Sequence, residues 1–100
     1  MRMRNILIAR DGTSVSGVLL EKTIAITTLL GRHRIPRSAI AWIHFKGTPT
    51  ATVDEIWLHN GDRLSGTILG RSVRWRDSSK NTHVIPFQKI HSIVLSSGAI

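Results

Sequence analysis

Short apolar runs alternate with polar turn residues along this chain, and nowhere does the spacing of a long amphipathic helix persist. Ile6 to Ala9 is apolar throughout and runs into Asp11 and Gly12, a pair that tolerates the left-handed backbone of a tight hairpin. Ile56, Trp57 and Leu58 run into Asn60 and Gly61 in the same way. Leu64, Gly66 and Ile68 then alternate with Arg63, Ser65 and Thr67, the pattern of a strand with one buried face. Third strands are predicted over Thr23 to Thr28 and Ser72 to Arg76; in the latter, Val73 and Trp75 share one face and Arg74 and Arg76 the other. Fourth strands end at Pro36 and Pro86, because a residue without an amide donor is confined to a strand end or an edge. Fifth strands, Ala41 to Phe45 and His91 to Leu95, follow a short turn containing Ser38 or Gln88.

This strand list reads the same twice. Asp11 to Leu20 lies over Asn60 to Leu69 at an offset of 49, and Ile35, Pro36, Ile40 and Ile43 lie over Ile85, Pro86, Ile90 and Ile93 at an offset of 50. One residue has been gained between the two blocks, which places it in a loop: the polar cluster Asp77 to Asn81 stands where the first copy has only Gly31 and Arg32 nearby. Gly47 and Pro49 break both periodicities and mark a linker. The domain reading is therefore a first β repeat over 1–46, a linker over 47–52 and a second β repeat over 53–100. A unit of about fifty residues buries roughly 60% of its unfolded surface or less, so each copy needs the other to be stable. Trp42, Trp57, Trp75, Phe45 and Phe87 are expected to supply most of the shared core.

Composition narrows the function. The chain has 14 Lys and Arg against 6 Asp and Glu, for a net charge of +8, while 41% of it is hydrophobic. That is too apolar for a disordered basic tail, and its apolar runs are too short for a membrane span. The run Ile6 to Ala9 is also shorter than a signal peptide's apolar region, so a cytoplasmic protein with no membrane partner is expected. With no cysteine there is no thiolate nucleophile and no cysteine-type zinc site. His33, His44, His59, His83 and His91 lack the paired spacing of a ligand cluster, so neither metal nor cofactor is expected. Asp54 and Glu55 project to opposite faces of a strand and cannot share a reaction centre. No phosphate-cradling loop or nucleophile elbow is present, and the chain reads as a non-enzyme.

What remains is positive charge set on strands and turns. Ten of the basic residues are arginines, whose planar fork suits phosphate, and the first fifty residues carry +6 against +2 for the rest. Lys22, Arg32, Arg34, Arg37, Arg71, Arg74, Arg76 and Lys89 are the candidate polyanion contacts. Phe87, beside Lys89, is the candidate base-stacking ring; Trp75, between two arginines, is expected to point inward.

In each copy a turn glycine is followed, five residues on, by a second glycine and an aliphatic pair or its equivalent: Gly12, Gly17, Val18 and Leu19, then Gly61, Gly66, Thr67 and Ile68. This resembles the first motif of Sm-like proteins, and the spacings of Ile35, Ile40 and Ile43 and of Ile85, Ile90 and Ile93 are similar to the second. The resemblance implies two tandem five-stranded, strongly bent Sm-like barrel repeats packed together. It also implies homo-oligomers joined edge to edge, fourth strand to fifth, into rings, and RNA as a ligand. Where that family has an RNA-reading Asp and Asn, this chain has Glu21, Lys22, Thr23 and Gly70, Arg71, Ser72, so contacts to the RNA backbone are expected in place of base readout. The alternative reading is a structural scaffold whose edges assemble without nucleic acid.

Overall fold

A computed structural model describes residues 5–47 and 52–95; residues 1–4, the 48–51 stretch of the expected linker and residues 96–100 lie outside the described residues. The protein is all-β, as its pattern predicts. The first copy forms β1 (Asn5–Ala9), β2 (Ser14–Leu19), β3 (Thr23–Thr28), β4 (Gly31–Pro36) and β5 (Ile40–His44). The second forms β6 (Asp54–Leu58), β7 (Arg63–Ile68), β8 (Ser72–Asp77), β9 (Thr82–Pro86) and β10 (Ile90–Leu95). A single 3-10 turn, Arg37–Ala39 or Phe87–Lys89, follows each proline. The gained residue falls in a hairpin tip: Leu29 and Leu30 close β3 to β4, whereas four residues close β8 to β9, one of them gained and one, Asn81, the counterpart of the first residue of β4.

All ten strands form one curled antiparallel sheet in the order β4-β3-β7-β6-β5-β10-β1-β2-β8-β9. Substituting each strand by its counterpart in the other copy turns this order into its own reverse, so the sheet carries a pseudo-twofold axis between β5 and β10. The copies exchange strands about that axis. β2 pairs with β8 and β3 with β7, while β1 pairs with β10 and β5 with β6. Neither copy therefore builds a five-stranded sheet from its own strands; each half of the sheet takes two strands from one copy and three from the other.

The exchange explains the glycine pairs. Gly12 and Gly61 have φ of +93° and +95° and make the turns. Gly17 and Gly66 lie at the exchange contacts, where a Cβ would sit 2.2 Å from the Arg76 carbonyl oxygen and 2.0 Å from that of Thr27. Two strands can approach this closely only where one of them has no side chain.

The core lies on the concave side. Leu7, Leu19, Ile26, Ile43, Ile56, Trp75 and Ile93 are fully buried there, and Phe45 and Phe87 pack together at 4.9 Å between ring centroids. Trp42 and Trp57 depart from the expectation of a core role. They are half-buried on the opposite, outer face, stacked at 5.5 Å and 4° across β5 and β6, with the Arg63 guanidinium 5.1 Å from the Trp57 ring. The reason is local. Ile40 and Ile43 both face inward, which a regular strand forbids at a spacing of three; the register shifts between Ile40 and Trp42, and the alternation counted back from Ile43 turns Trp42 outward.

Candidate functional site

Charge on this protein is decided by what holds the acids. Asp54 is buried at the start of β6 and accepts the Ile68 and Lys46 amides at 2.7 and 2.8 Å, tying β6 to the end of β7. Glu21 accepts Arg74 Nε at 2.9 Å, and Glu55 lies 3.6 Å from Arg63. Asp11 caps its own turn through the Thr13 amide and hydroxyl at 2.9 and 2.7 Å, and Asp62 lies 3.2 Å from Asn60 Nδ2. Asp77 accepts His83 Nε2 at 2.7 Å and the Ser79 and Asn81 amides at 2.9 Å. The His83 contact, followed by the amides, holds the Asp77 carboxyl below the usual aspartate range; the Thr13 hydroxyl does the same for Asp11. All six acids are thus engaged, and only Arg63 and Arg74 among the arginines have a carboxylate partner among the described residues.

The predicted site residues fall into four groups. Arg32 and Arg34 are exposed on β4, one outer edge of the sheet, opposite Thr27 and Ala25 of β3. Arg74 and Arg76 are exposed on β8, opposite Val84 and Thr82 of β9, the other outer edge. Both pairs look out from the convex face, at opposite ends of the strand order. Lys22 is exposed in the connection from β2 to β3, and its carbonyl accepts the Arg37 amide at 2.8 Å, while the Arg37 guanidinium donates to the Leu19 carbonyl. Arg71 occupies the counterpart connection, and its carbonyl accepts the Phe87 amide at 2.9 Å. Lys89 is exposed at the end of the second 3-10 turn.

Not all of these side chains are available. Arg37 braces the crossing of the copies, Arg74 is paired with Glu21, and the Phe87 ring packs on Phe45 beside Gly70. Trp75 is fully buried against Gly17, so it offers no face to a base. Lys22, Arg32, Arg34, Arg71, Arg76 and Lys89 remain exposed without carboxylate partners among the described residues.

One outer-face feature lay outside the sequence reading. Arg63, Trp57, Trp42, His44 and His91 form a continuous ladder over β7, β6, β5 and β10, with Trp42 5.8 Å from His44 and His44 4.8 Å from His91. Trp57 lies against both Arg63 and Trp42, so the ladder staples β7, β6 and β5 together. Strict alternation with the buried Ile56 was the signal that Trp57 faces outward. Among the described residues, no three metal-binding side chains cluster. No helix is long and apolar enough to cross a membrane.

Comparison with protein-family models, with curated proteins and with solved structures found no match to this chain.

Proposed function

We propose that the protein is a non-enzymatic, self-associating binding module that contacts RNA or another nucleic acid through its phosphate backbone. The observation that carries this reading is the engagement of every acidic side chain in a turn, an ion pair or a buried cap, which leaves the arginines of β4 and Arg76 of β8 uncompensated on the convex face. Arg32 and Arg34 stand two residues apart on an exposed edge strand and can follow successive phosphates. Lys22, Arg71 and Lys89 extend the positive field. The candidate ring Phe87 packs on Phe45 and Trp75 is buried, so the contact is read as electrostatic and of weak sequence preference. The resemblance to Sm-like proteins points the same way.

A titration of single-stranded RNA at several salt concentrations tests this. If about 5 phosphates are neutralised, log affinity falls against log salt with a slope near −3.5, at about −0.7 per contact. Replacing Arg32 and Arg34 by alanine should weaken binding of all sequences alike and flatten that slope by about 1.4. Absence of binding at low salt would remove the reading. The two free edges, β4 and β9, favour a second one, a scaffold assembled without nucleic acid. Protein that purifies with no excess absorbance at 260 nm and ignores RNA, yet self-associates, would establish it.

A further inference from the structure

A sheet has two faces, and the core of this one fills only the concave side. On the convex side the register sets Arg63 of β7, Trp57 of β6, Trp42 of β5, Val94 of β10, Ile6 of β1 and Ser16 of β2 beside one another, one row across six strands. Its four middle positions are apolar. With strands about 4.8 Å apart they cover about 14 Å. Val94 is 42% exposed and Ile6 36%, whereas the solvent face of an antiparallel sheet is ordinarily polar, as Ser14, Ser16 and Ser65 are on this same side. The pseudo-twofold axis supplies a control: the counterparts of Trp57, Trp42, Val94 and Ile6 are Ile8, Ser92, His44 and Glu55, which form a row of their own. The fold thus accepts a serine, a histidine and a glutamate in these places and does not ask for an apolar row. β5 and β10 are paired on both sides, so a joint of fourth strand to fifth has no free edge to use; the outer face is what these strands offer a partner.

The row is not level. Trp57 and Trp42 stack at 5.5 Å, and His44 meets Trp42 at a tilt of 41° from two residues along the same strand, not from across β10. On the β10 side the register neighbours of Trp42 are Val94 and then Ile6, whose short branched side chains leave a low apolar floor beside the tall indole. A flat ring laid on that floor lies against Trp42. The charge around it is positive. Arg63 ends the row on β7, Arg74 and Arg76 lie on β8 next to β2, and Arg32 and Arg34 lie on β4, while Glu55 and Glu21 are already paired with Arg63 and Arg74. The complementary partner combines flat rings with repeated negative charge, as single-stranded nucleic acid does. A second copy laid on this face would set arginines against arginines.

We propose that single-stranded nucleic acid crosses the convex face along this row, with a base laid against Trp42 over Val94 and Ile6 and phosphates on the arginines to either side. This inference rests on the nucleic-acid reading above and adds a base contact to it. Every base has a flat face, so such stacking keeps sequence preference weak.

Two probes of equal length and charge separate the contributions: a single-stranded oligoadenylate and an abasic ribose-phosphate oligomer. The native chain should bind the oligoadenylate roughly tenfold tighter at a given salt concentration, with the same salt slope for both. The oligoadenylate alone should quench tryptophan emission, and because Trp75 is fully buried that signal reports Trp42 and Trp57. Trp42→Leu should bind both probes alike with an unchanged slope. Ile6→Ser with Val94→Ser keeps the charge and the stacked pair, and should lose most of the preference while melting near the native temperature. Arg32→Ala with Arg34→Ala should do the reverse, flattening the slope and keeping the preference. If the native chain binds both probes equally and with a salt slope, the row is not the path and the phosphate reading stands without it; if it binds neither at low salt, that reading falls and this inference with it. Self-association that is lost in the Ile6→Ser, Val94→Ser protein while the preference for oligoadenylate is kept would make the row a joint between copies and overturn the inference.

Discussion

Replacing Gly66 by alanine probes the exchange of strands directly. The new Cβ would lie 2.0 Å from the Thr27 carbonyl oxygen and 2.9 Å from its carbon, against a limit of 3.0 Å that real contacts respect, so β3 and β7 must part by the missing ångström. Both offending atoms are backbone, so no rotamer change relieves the clash. Backbone shifts forced by an added carbon cost about 1 to 3 kcal/mol. β3 and β7 are in register only at Ile26 with Ile68 and Thr27 with Thr67, and each ladder hydrogen bond lost there adds about 0.5 to 1.5 kcal/mol. The expected loss is about 3 to 5 kcal/mol, a large fraction of the roughly 5 to 15 kcal/mol that holds a domain together. At about 4 to 8 °C per kcal/mol, the melting temperature should fall by about 12 °C or more. Gly47→Ala is the control: its φ of +102° makes alanine strained by about 1 to 2 kcal/mol, but its nearest neighbour is the movable end of Arg10. Thermal and urea denaturation of both variants decides the matter. Equal losses for the two would show that β3 does not run against Gly66.

Three further outcomes are expected. Asp54→Ala should destabilise by about 2 to 5 kcal/mol in urea denaturation, because it strands the Ile68 and Lys46 amides without an acceptor. Asp11 and Asp77 have folded-state values below the ordinary 3.8, so their stabilisation is complete above that pH and is lost as the pH falls below it; Asp11→Asn with Asp77→Asn should flatten the acid limb of a stability-versus-pH profile. A double-mutant cycle with Trp42→Ala and Trp57→Ala should give a coupling of about 0.5 to 1.5 kcal/mol, and near-ultraviolet circular dichroism should lose the signal of the stacked indoles in either single variant.

Strand positions were legible because alternation, turn pairs and prolines are local signals, and the duplicated spacing fixed their correspondence. Pro36 and Pro86 do end strands, and those strands are the two edges. The pairing was not legible, for a reason built into duplication. A second strand that fits the third strand of its own copy fits that of the other copy equally well, so the sequence is degenerate between closed repeats and exchanged ones. The connections Leu20 to Lys22 and Leu69 to Arg71 break the tie: they carry the chain across the pseudo-twofold axis, where the Arg37 guanidinium and the Phe87 ring secure them. Burial of the aromatics was half legible. Trp75 alternates cleanly with Arg74 and Arg76, but the placement of Trp42 depends on a register shift that an alternating pattern hides. The charges were visible, while their availability was not, because the pairing of Arg74 with Glu21 spans 53 residues.

The two copies give one backbone solution twice, which separates architecture from purpose. Whatever occurs in both is what the sheet needs: the turn glycines, the glycines at the exchange contacts, the prolines and the inward isoleucines. Whatever occurs once is not demanded by the fold, since the other copy manages without it. Arg32 and Arg34 stand where the second copy has Thr82 and Val84, and Leu29 with Leu30 stand where it has serines. Both asymmetries fall on the same hairpin, the one ending in the free edge β4. A basic edge serving solubility alone would have no reason to coincide with the most exposed leucines, since apolar exposure opposes solubility. The coincidence is accounted for if that hairpin is an interaction element. Grafting should then move the behaviour: Ser78→Leu with Ser79→Leu, made together with Leu29→Ser and Leu30→Ser, puts the apolar tip on the β8–β9 hairpin. If the exposed leucines are what makes this hairpin an interaction element, association weakened by Leu29→Ser with Leu30→Ser alone should be restored in the graft. A graft that sediments no differently from the Leu29→Ser with Leu30→Ser protein would show that exposed leucines alone do not carry association.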